Sequence, residues 1–166
     1  YRLGNLHLRC GRYERAVSYY HTLEDTKLPH VHFNLGIAYF YLGNSSRAEK
    51  HLHLTLKYDP HFPKINETIA DLLIRRKSYG EAVKYLRRGI EIDSYSSTSH
   101  YLLGIAYSGL YDWKSAYDEF VTAIDMDPNE ARAWEKCGEV LLNLQRLDEA
   151  ESYLKKALEL DPNIAD

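Results

Sequence analysis

The sequence predicts an all-α fold, a stack of antiparallel helix pairs rather than one globular core. Three observations predict it. One pattern recurs at intervals of 34 residues along the 166-residue chain, the sign of a stack of supersecondary units. Small residues hold two positions of that pattern: Gly4, Gly36, Ala70, Gly104 and Gly138 at one, Ala16, Ala48, Ala82, Ala116 and Ala150 at the other. An aspartate, mostly followed by proline, then closes each later copy, as at Asp59, Asp93, Asp127 and Asp161.

The copies set the expected boundaries. Residues 1–28 form a first unit that lacks its opening turn, and the step from Gly4 to Gly36 is 32 residues instead of 34. Residues 29–62 carry His32, Gly36, Tyr39, Ala48, Leu52 and Thr55, with a polar turn at Gly43, Asn44, Ser45 and Ser46. Residues 63–96 repeat this in worn form, with Asn66, Ala70, Leu73, Ala82, Leu86 and Gly89. Arg75, Arg76 and Lys77 end the first helix of that copy, where cations suit a helix C-terminus. Residues 97–130 are the clearest copy. Apolar spacing of helical period runs over 98–110 and again over 114–126. Residues 131–164 follow with Trp134, Gly138, Leu141, Ala150, Leu154 and Ala157, and all five units are read as one continuous array.

The packing logic follows from side-chain size. Glycine inside a helix costs about 1 kcal/mol, so its recurrence implies a steric demand between two closely approaching backbones. Larger groups then fill the seams, such as Leu35, Tyr39 and Leu52, or Leu103, Tyr107 and Phe120. The second helix of a pair should stop at Asp-Pro, because proline pushes the preceding residue out of the helical region.

Composition narrows the classes. Apolar residues make up 45% and charged residues 27%, as in ordered globular chains. No apolar run approaches the roughly 18 residues of a membrane span. The net charge of −3 is unevenly placed: residues 1–96 carry 15 Lys/Arg against 10 Asp/Glu, and residues 97–166 carry 6 against 14. The basic excess of a nucleic-acid binder is absent. The two cysteines, Cys10 and Cys137, fall in the first and last copies, so they read as free thiols of a reducing, cytoplasmic compartment. No phosphate loop, nucleophile–base pair or paired-carboxylate motif is present, so no enzyme activity and no cofactor are expected. His30, His32, His51, His53 and His61 crowd one unit. The i, i+2 pairs among them point to different sides of a helix, so no metal site is expected, and His32 is read as a packing residue.

The pattern resembles the tetratricopeptide repeat (TPR) family. The residues that carry the likeness are the aromatic, Leu-Gly, Tyr, Ala, aromatic-or-Leu, Ala and Pro positions, matched nearly throughout by Trp134, Gly138, Leu141, Ala150, Leu154, Ala157 and Pro162. Departures are His32, Asn66 and His100 at the aromatic position, Ala70 for glycine and Ser94 for proline. The resemblance implies a right-handed α-solenoid whose first helices line a concave groove. Carried over position by position, it implies a partner-binding set of Phe33, Asn34, Ile37, Phe40, Tyr41, Lys64, Asp71, Arg75, Tyr101, Ile105, Arg132 and Lys136, with Arg2, Asn5, Leu8 and Arg9 from the shortened unit. Large apolar groups on a nominally solvent-facing stripe mark a contact surface, here with Tyr101 and Ile105 expected to face Phe33, Ile37 and Phe40. Such a stripe suits an extended peptide or an amphipathic helix, and Lys64, Asp71 and Arg75 would fix its register. The clamp by which related co-chaperones hold a C-terminal carboxylate is matched here at Asn5, Asn34 and Lys64 but not at Tyr1 and Thr68.

Three readings of function follow. The first is a non-catalytic module that holds a peptide or helix of another protein. The second is a targeting array within a longer chain that carries an enzyme or joins a complex. The third is self-association through uncapped array ends, with Leu154, Ala157 and Leu158 covered by another copy.

Overall fold

The computed structural model describes residues 1–62 and 64–164. Among them are ten α-helices and no strand: α1 (Arg2–Arg9), α2 (Tyr13–His21), α3 (Pro29–Tyr41), α4 (Ser45–Tyr58), α5 (Ile65–Arg75), α6 (Tyr79–Ile92), α7 (Ser97–Gly109), α8 (Trp113–Met126), α9 (Ala131–Asn143) and α10 (Leu147–Leu160). The chain divides into two compact units, Tyr1–Leu72 and Leu73–Asp166, with the division inside α5. In the first, α1 packs on α2, α2 on α3, α3 on α4, and α1 touches α3. In the second, α6 through α10 each pack on the next, and α7 touches α9.

The turns within helix pairs share one backbone device. Gly11 (φ 67°), Gly43 (φ 73°), Lys77 (φ 60°), Tyr111 (φ 61°) and Gln145 (φ 60°) are all left-handed, at one equivalent position of each repeat. In two of the five pairs the next helix then begins on a side-chain cap. Asn44 Oδ1 accepts from the Arg47 amide at 3.1 Å, and Asp112 Oδ1 accepts from the Ser115 amide at 3.2 Å, each satisfying a donor left free by the first turn. Asn44 as cap places Ser45 and Ser46 inside α4 rather than in the turn.

The helix stop proves to be a property of the aspartate. Asp59, Asp127 and Asp161 precede proline, yet Asp93 precedes Ser94, and all four cap residues leave the helix in extended or near-extended backbone. In each case the carboxylate turns back to accept the amide two residues on: His61 at 3.0 Å, Tyr95 at 3.1 Å, Asn129 at 3.2 Å and Asn163 at 3.0 Å. This local turn closes the helix without help from proline.

The small residues meet large side chains of the paired helix. A Cβ on Gly104 would lie 2.6 Å from the Phe120 ring, and one on Gly36 would lie 2.7 Å from Leu52 Cδ2. The repeated alanines, Ala16, Ala48, Ala82, Ala116 and Ala150, are all fully buried. His32 fills the aromatic slot of its repeat and is 1% exposed. Asn66 fills the same slot in the next repeat, 5% exposed, and its Oδ1 has no hydrogen-bond partner among the described residues. Cys137 is fully buried in place of a core leucine; burial pushes its thiol up to about 12, with Arg146 pulling the other way, so it is chemically quiet.

Candidate functional site

In the first unit the candidate residues lie on α1 and α3, which touch. Adjacent turns of helix bring Asn5 and Asn34 together. Asn34 Nδ2 donates to Asn5 Oδ1 at 3.0 Å and points to the Tyr1 hydroxyl at 3.5 Å. Tyr20, rising from α2 beneath them, donates its hydroxyl to the same Asn5 oxygen. Burial, with the neighbouring Tyr1, raises the Tyr20 phenol to about 12, so it stays a donor. Two donors on Asn5 Oδ1 tie the amides of Asn5 and Asn34 and the Tyr20 hydroxyl into one cluster. The Asn5 amide nitrogen and the Asn34 carbonyl are then left uncommitted among the described residues.

The aromatic residues of α3 divide. Phe33 packs on Phe62 with ring centres 4.9 Å apart, and Tyr41 stacks on Tyr13 at 4.8 Å while staying 57% exposed. Phe40 meets Tyr41 edge-on at 5.4 Å. Ile37 is half-buried, as are Phe33, Asn34 and Phe40. Lys64 is exposed just before α5, with φ 60°, and Asp71 is half-buried within α5. Phe33 therefore contributes to folding as well as to any contact surface.

In the second unit the candidates lie on α7 and α9, which touch. Tyr101 is half-buried and tilted against Phe120 with ring centres 5.9 Å apart, and the Arg132 guanidinium lies over its ring at 5.7 Å. Burial raises the Tyr101 phenol, so it stays protonated and neutral. Arg132 also pairs with Glu130 through Nε–Oε1 at 2.8 Å and Nη2–Oε2 at 3.2 Å. Lys136 donates to both oxygens of Glu139, at 2.8 and 2.9 Å, and its ammonium is held above its ordinary range despite burial. Both cations of α9 are thus neutralised within the chain. Arg75 ends α5, exposed, in this unit.

Ile105, Lys136 and Glu139 share an open pocket with Ser108, Asn143, Tyr79 and Trp113. Tyr79 lies directly over Gly109, where a Cβ would come within 2.5 Å of the ring. The pocket therefore exists in this repeat because Gly109 leaves room for an aromatic of α6. Position-by-position reading missed Tyr79 and Trp113, since they lie on second helices. The one signal for them was a glycine, Gly109, where the other copies have none.

The described residues include no group of three or more His, Cys, Asp or Glu side chains placed to hold a metal. No described helix is long and apolar enough to cross a membrane.

Comparison with known proteins bears directly on this geometry. A tetratricopeptide repeat model matches residues 33–97 and 101–163, and a second model of the same repeat matches residues 1–28. The chain belongs to the tetratricopeptide repeat family. Anaphase-promoting complex subunit 3 of Schizosaccharomyces pombe is 24% identical over 164 residues, covering 98% of this chain and 25% of that protein. The chain spans less than a third of the length of the known proteins it matches in sequence. Among solved structures, MamA from Desulfovibrio magneticus RS-1 superposes with a TM-score of 0.88 at 23% identity, covering 99% of this chain and 94% of that one. YrrB, described as a TPR protein with an unusual peptide-binding site, superposes at 0.80 with 20% identity over 98% of this chain and 84% of its own. These likenesses show the TPR fold, and the family supports a protein-interaction scaffold.

Proposed function

We propose that this TPR chain is a non-catalytic scaffold that holds a peptide or helix of a partner protein against the first helices of its repeats. The observation that carries the reading is the Asn5–Asn34 pair. The Asn5 amide nitrogen and the Asn34 carbonyl oxygen, uncommitted among the described residues, offer a donor and an acceptor, the complement of a backbone amide in an extended segment. Ile37, Phe40 and Tyr41 on the same helix offer apolar area beside it, and apolar side chains flanking fixed polar groups are the usual make-up of a peptide site. In the second unit, Tyr101, Ile105, Arg132 and Lys136 form a second segment of the same kind. Lys64, Asp71 and Arg75 contribute charge for setting register.

The test is selection of peptides from a random display library on the intact chain, followed by affinity measurements on Asn34→Ala. Loss of about tenfold in affinity or more, with melting unchanged, supports the reading; unchanged affinity refutes it. Phe33→Ala and Tyr101→Ala are poorer probes, because both rings pack inside the fold.

A second reading, in which the chain recruits partners for a longer protein or an assembly, is favoured by the fraction of its relatives that it spans. Self-association has its own support in α10, where Leu147 is 64% and Leu158 44% exposed. Light scattering over a concentration series distinguishes it, since a monomer throughout rules it out. Two free thiols, one of them exposed on Cys10, fit a reducing, cytoplasmic setting.

A further inference from the structure

The pocket flanked by α7 and α9 lies wholly within the second unit, and its volume of about 380 Å³ is at the small end for a ligand site. Tyr79 and Trp113 give it aromatic walls, and Ile105 gives it an aliphatic one. Its polar groups have acceptor capacity to spare. The Glu139 carboxylate takes two hydrogen bonds from Lys136, at 2.8 and 2.9 Å, where two carboxylate oxygens have room for about four. Asn143 Nδ2 donates to the Glu139 backbone carbonyl at 2.9 Å. A carbonyl only accepts, so the amide nitrogen stands on that side and Asn143 Oδ1 remains as a further acceptor. Ser108 Oγ is buried and has no partner among the described residues.

Charge points the same way. Lys136 Nζ lies 2.8 Å from Glu139 and 4.0 Å from Glu135, so one ammonium faces two carboxylates and a negative charge is left over. The surrounding repeats add to it, since residues 97–166 carry 6 Lys/Arg against 14 Asp/Glu. The same unit shows what an aromatic face beside a carboxylate holds. Arg132 lies over the Tyr101 ring at 5.7 Å and bonds to Glu130, and Arg146 lies over the Tyr117 ring at 4.7 Å and bonds to Glu149. Tyr79 and Trp113 share their pocket with Glu139 in the same way, with no arginine of the chain over either ring among the described residues.

We propose that this pocket takes an arginine side chain of the partner, its guanidinium on the Glu139 carboxylate and the neighbouring acceptors and its stem along Ile105 and the aromatic walls. A guanidinium carries five N–H donors in one plane and no acceptor, and it stacks on aromatic faces, which matches this set of groups. A carboxylate side chain would add a third negative charge beside Glu135 and Glu139. A purely apolar one would cover Glu139 and Asn143 without giving them hydrogen bonds, at a cost in desolvation. That the arginine belongs to a partner's peptide rests on the groove reading above; the pocket's preference for the side chain does not.

The experiment is titration of the intact chain with N-acetyl-arginine N-methylamide, and with its lysine, norleucine and glutamate analogues, followed on the NMR signals of the Trp113 indole and the Ser108 and Gly109 amides. Arginine should give a saturable shift, with affinity about tenfold above any analogue. Glu139→Gln, at a side chain 50% exposed, removes the charge and should weaken the arginine derivative about tenfold. Gly109→Ala should weaken it as well, because a Cβ there would lie 2.5 Å from the Tyr79 ring and displaces it. Melting curves confirm that each variant is folded; should Gly109→Ala not fold, Glu139→Gln decides. No saturable shift with arginine, equal affinity for an analogue, or unchanged affinity in Glu139→Gln overturns the pocket. Arginine binding with no peptide retained from the display library refutes the groove and leaves the pocket standing. Retained peptides, with no arginine preference in the titration, refute the pocket and leave the groove.

Discussion

At the scale of single residues, the fold depends on where side chains are missing. Gly104 has no Cβ because the Phe120 ring occupies its place, 2.6 Å from where that atom would sit. Gly104→Ala gains helix propensity worth about 1 kcal/mol but forces a buried ring to move, at a cost of about 1–3 kcal/mol. We expect a net loss of about 1 kcal/mol in urea unfolding. Asn66 is the converse case, a polar group in an aromatic slot whose buried oxygen has no partner among the described residues. An unsatisfied buried acceptor costs about 1–3 kcal/mol, so Asn66→Leu should stabilise the chain by about 1 kcal/mol or more in the same assay. The sequence identified Gly104 and Asn66 as recurring positions, because size and polarity are properties of single residues. It could not identify the partner of His32, since His51 lies 19 positions away on another helix and its contact depends on how α3 packs on α4.

At the scale of elements, each helix pair turns on a left-handed residue, and the four pairs after the first end on an aspartate. The aspartate rule was legible, and at Asp93 it holds without the proline that the sequence argument relied on. Asp93 with Ser94 behind it ends α6 as well as Asp127 with Pro128 ends α8. The left-handed turn was not legible in the later copies, where Lys77, Tyr111 and Gln145 stand in place of Gly11 and Gly43. Residue type alone does not reveal a conformation that the residue resists. A non-glycine residue there carries about 1–2 kcal/mol of strain. Gln145→Gly should therefore raise stability by about 1 kcal/mol, measured by chemical denaturation; an unchanged or lowered midpoint would show that the turn is not strained. The repeat register was enough to place the candidate residues Phe33 to Tyr41 and Tyr101 to Ile105 on first helices, α3 and α7. Tyr79 and Trp113 were not, as they reach the pocket from α6 and α8.

At the scale of the whole molecule, stability in a repeat protein is a sum of local terms. Phe120 is 1% exposed, and Phe120→Ala should cost about 3–5 kcal/mol. Hydrogen exchange should show that loss concentrated in α7, α8 and α9, which pack in succession; uniform loss along the chain would argue for a single cooperative core. The same modular plan leaves the first helices free to carry binding groups. The measurement that tests the scaffold reading most directly is amide chemical-shift mapping of the intact chain with a library-selected peptide. The account predicts shifts concentrated on α1 and α3 around Asn5, Asn34, Ile37 and Tyr41, or on α7 and α9 around Tyr101, Ile105 and Lys136. Shifts confined to α2, α4, α8 and α10 would contradict it.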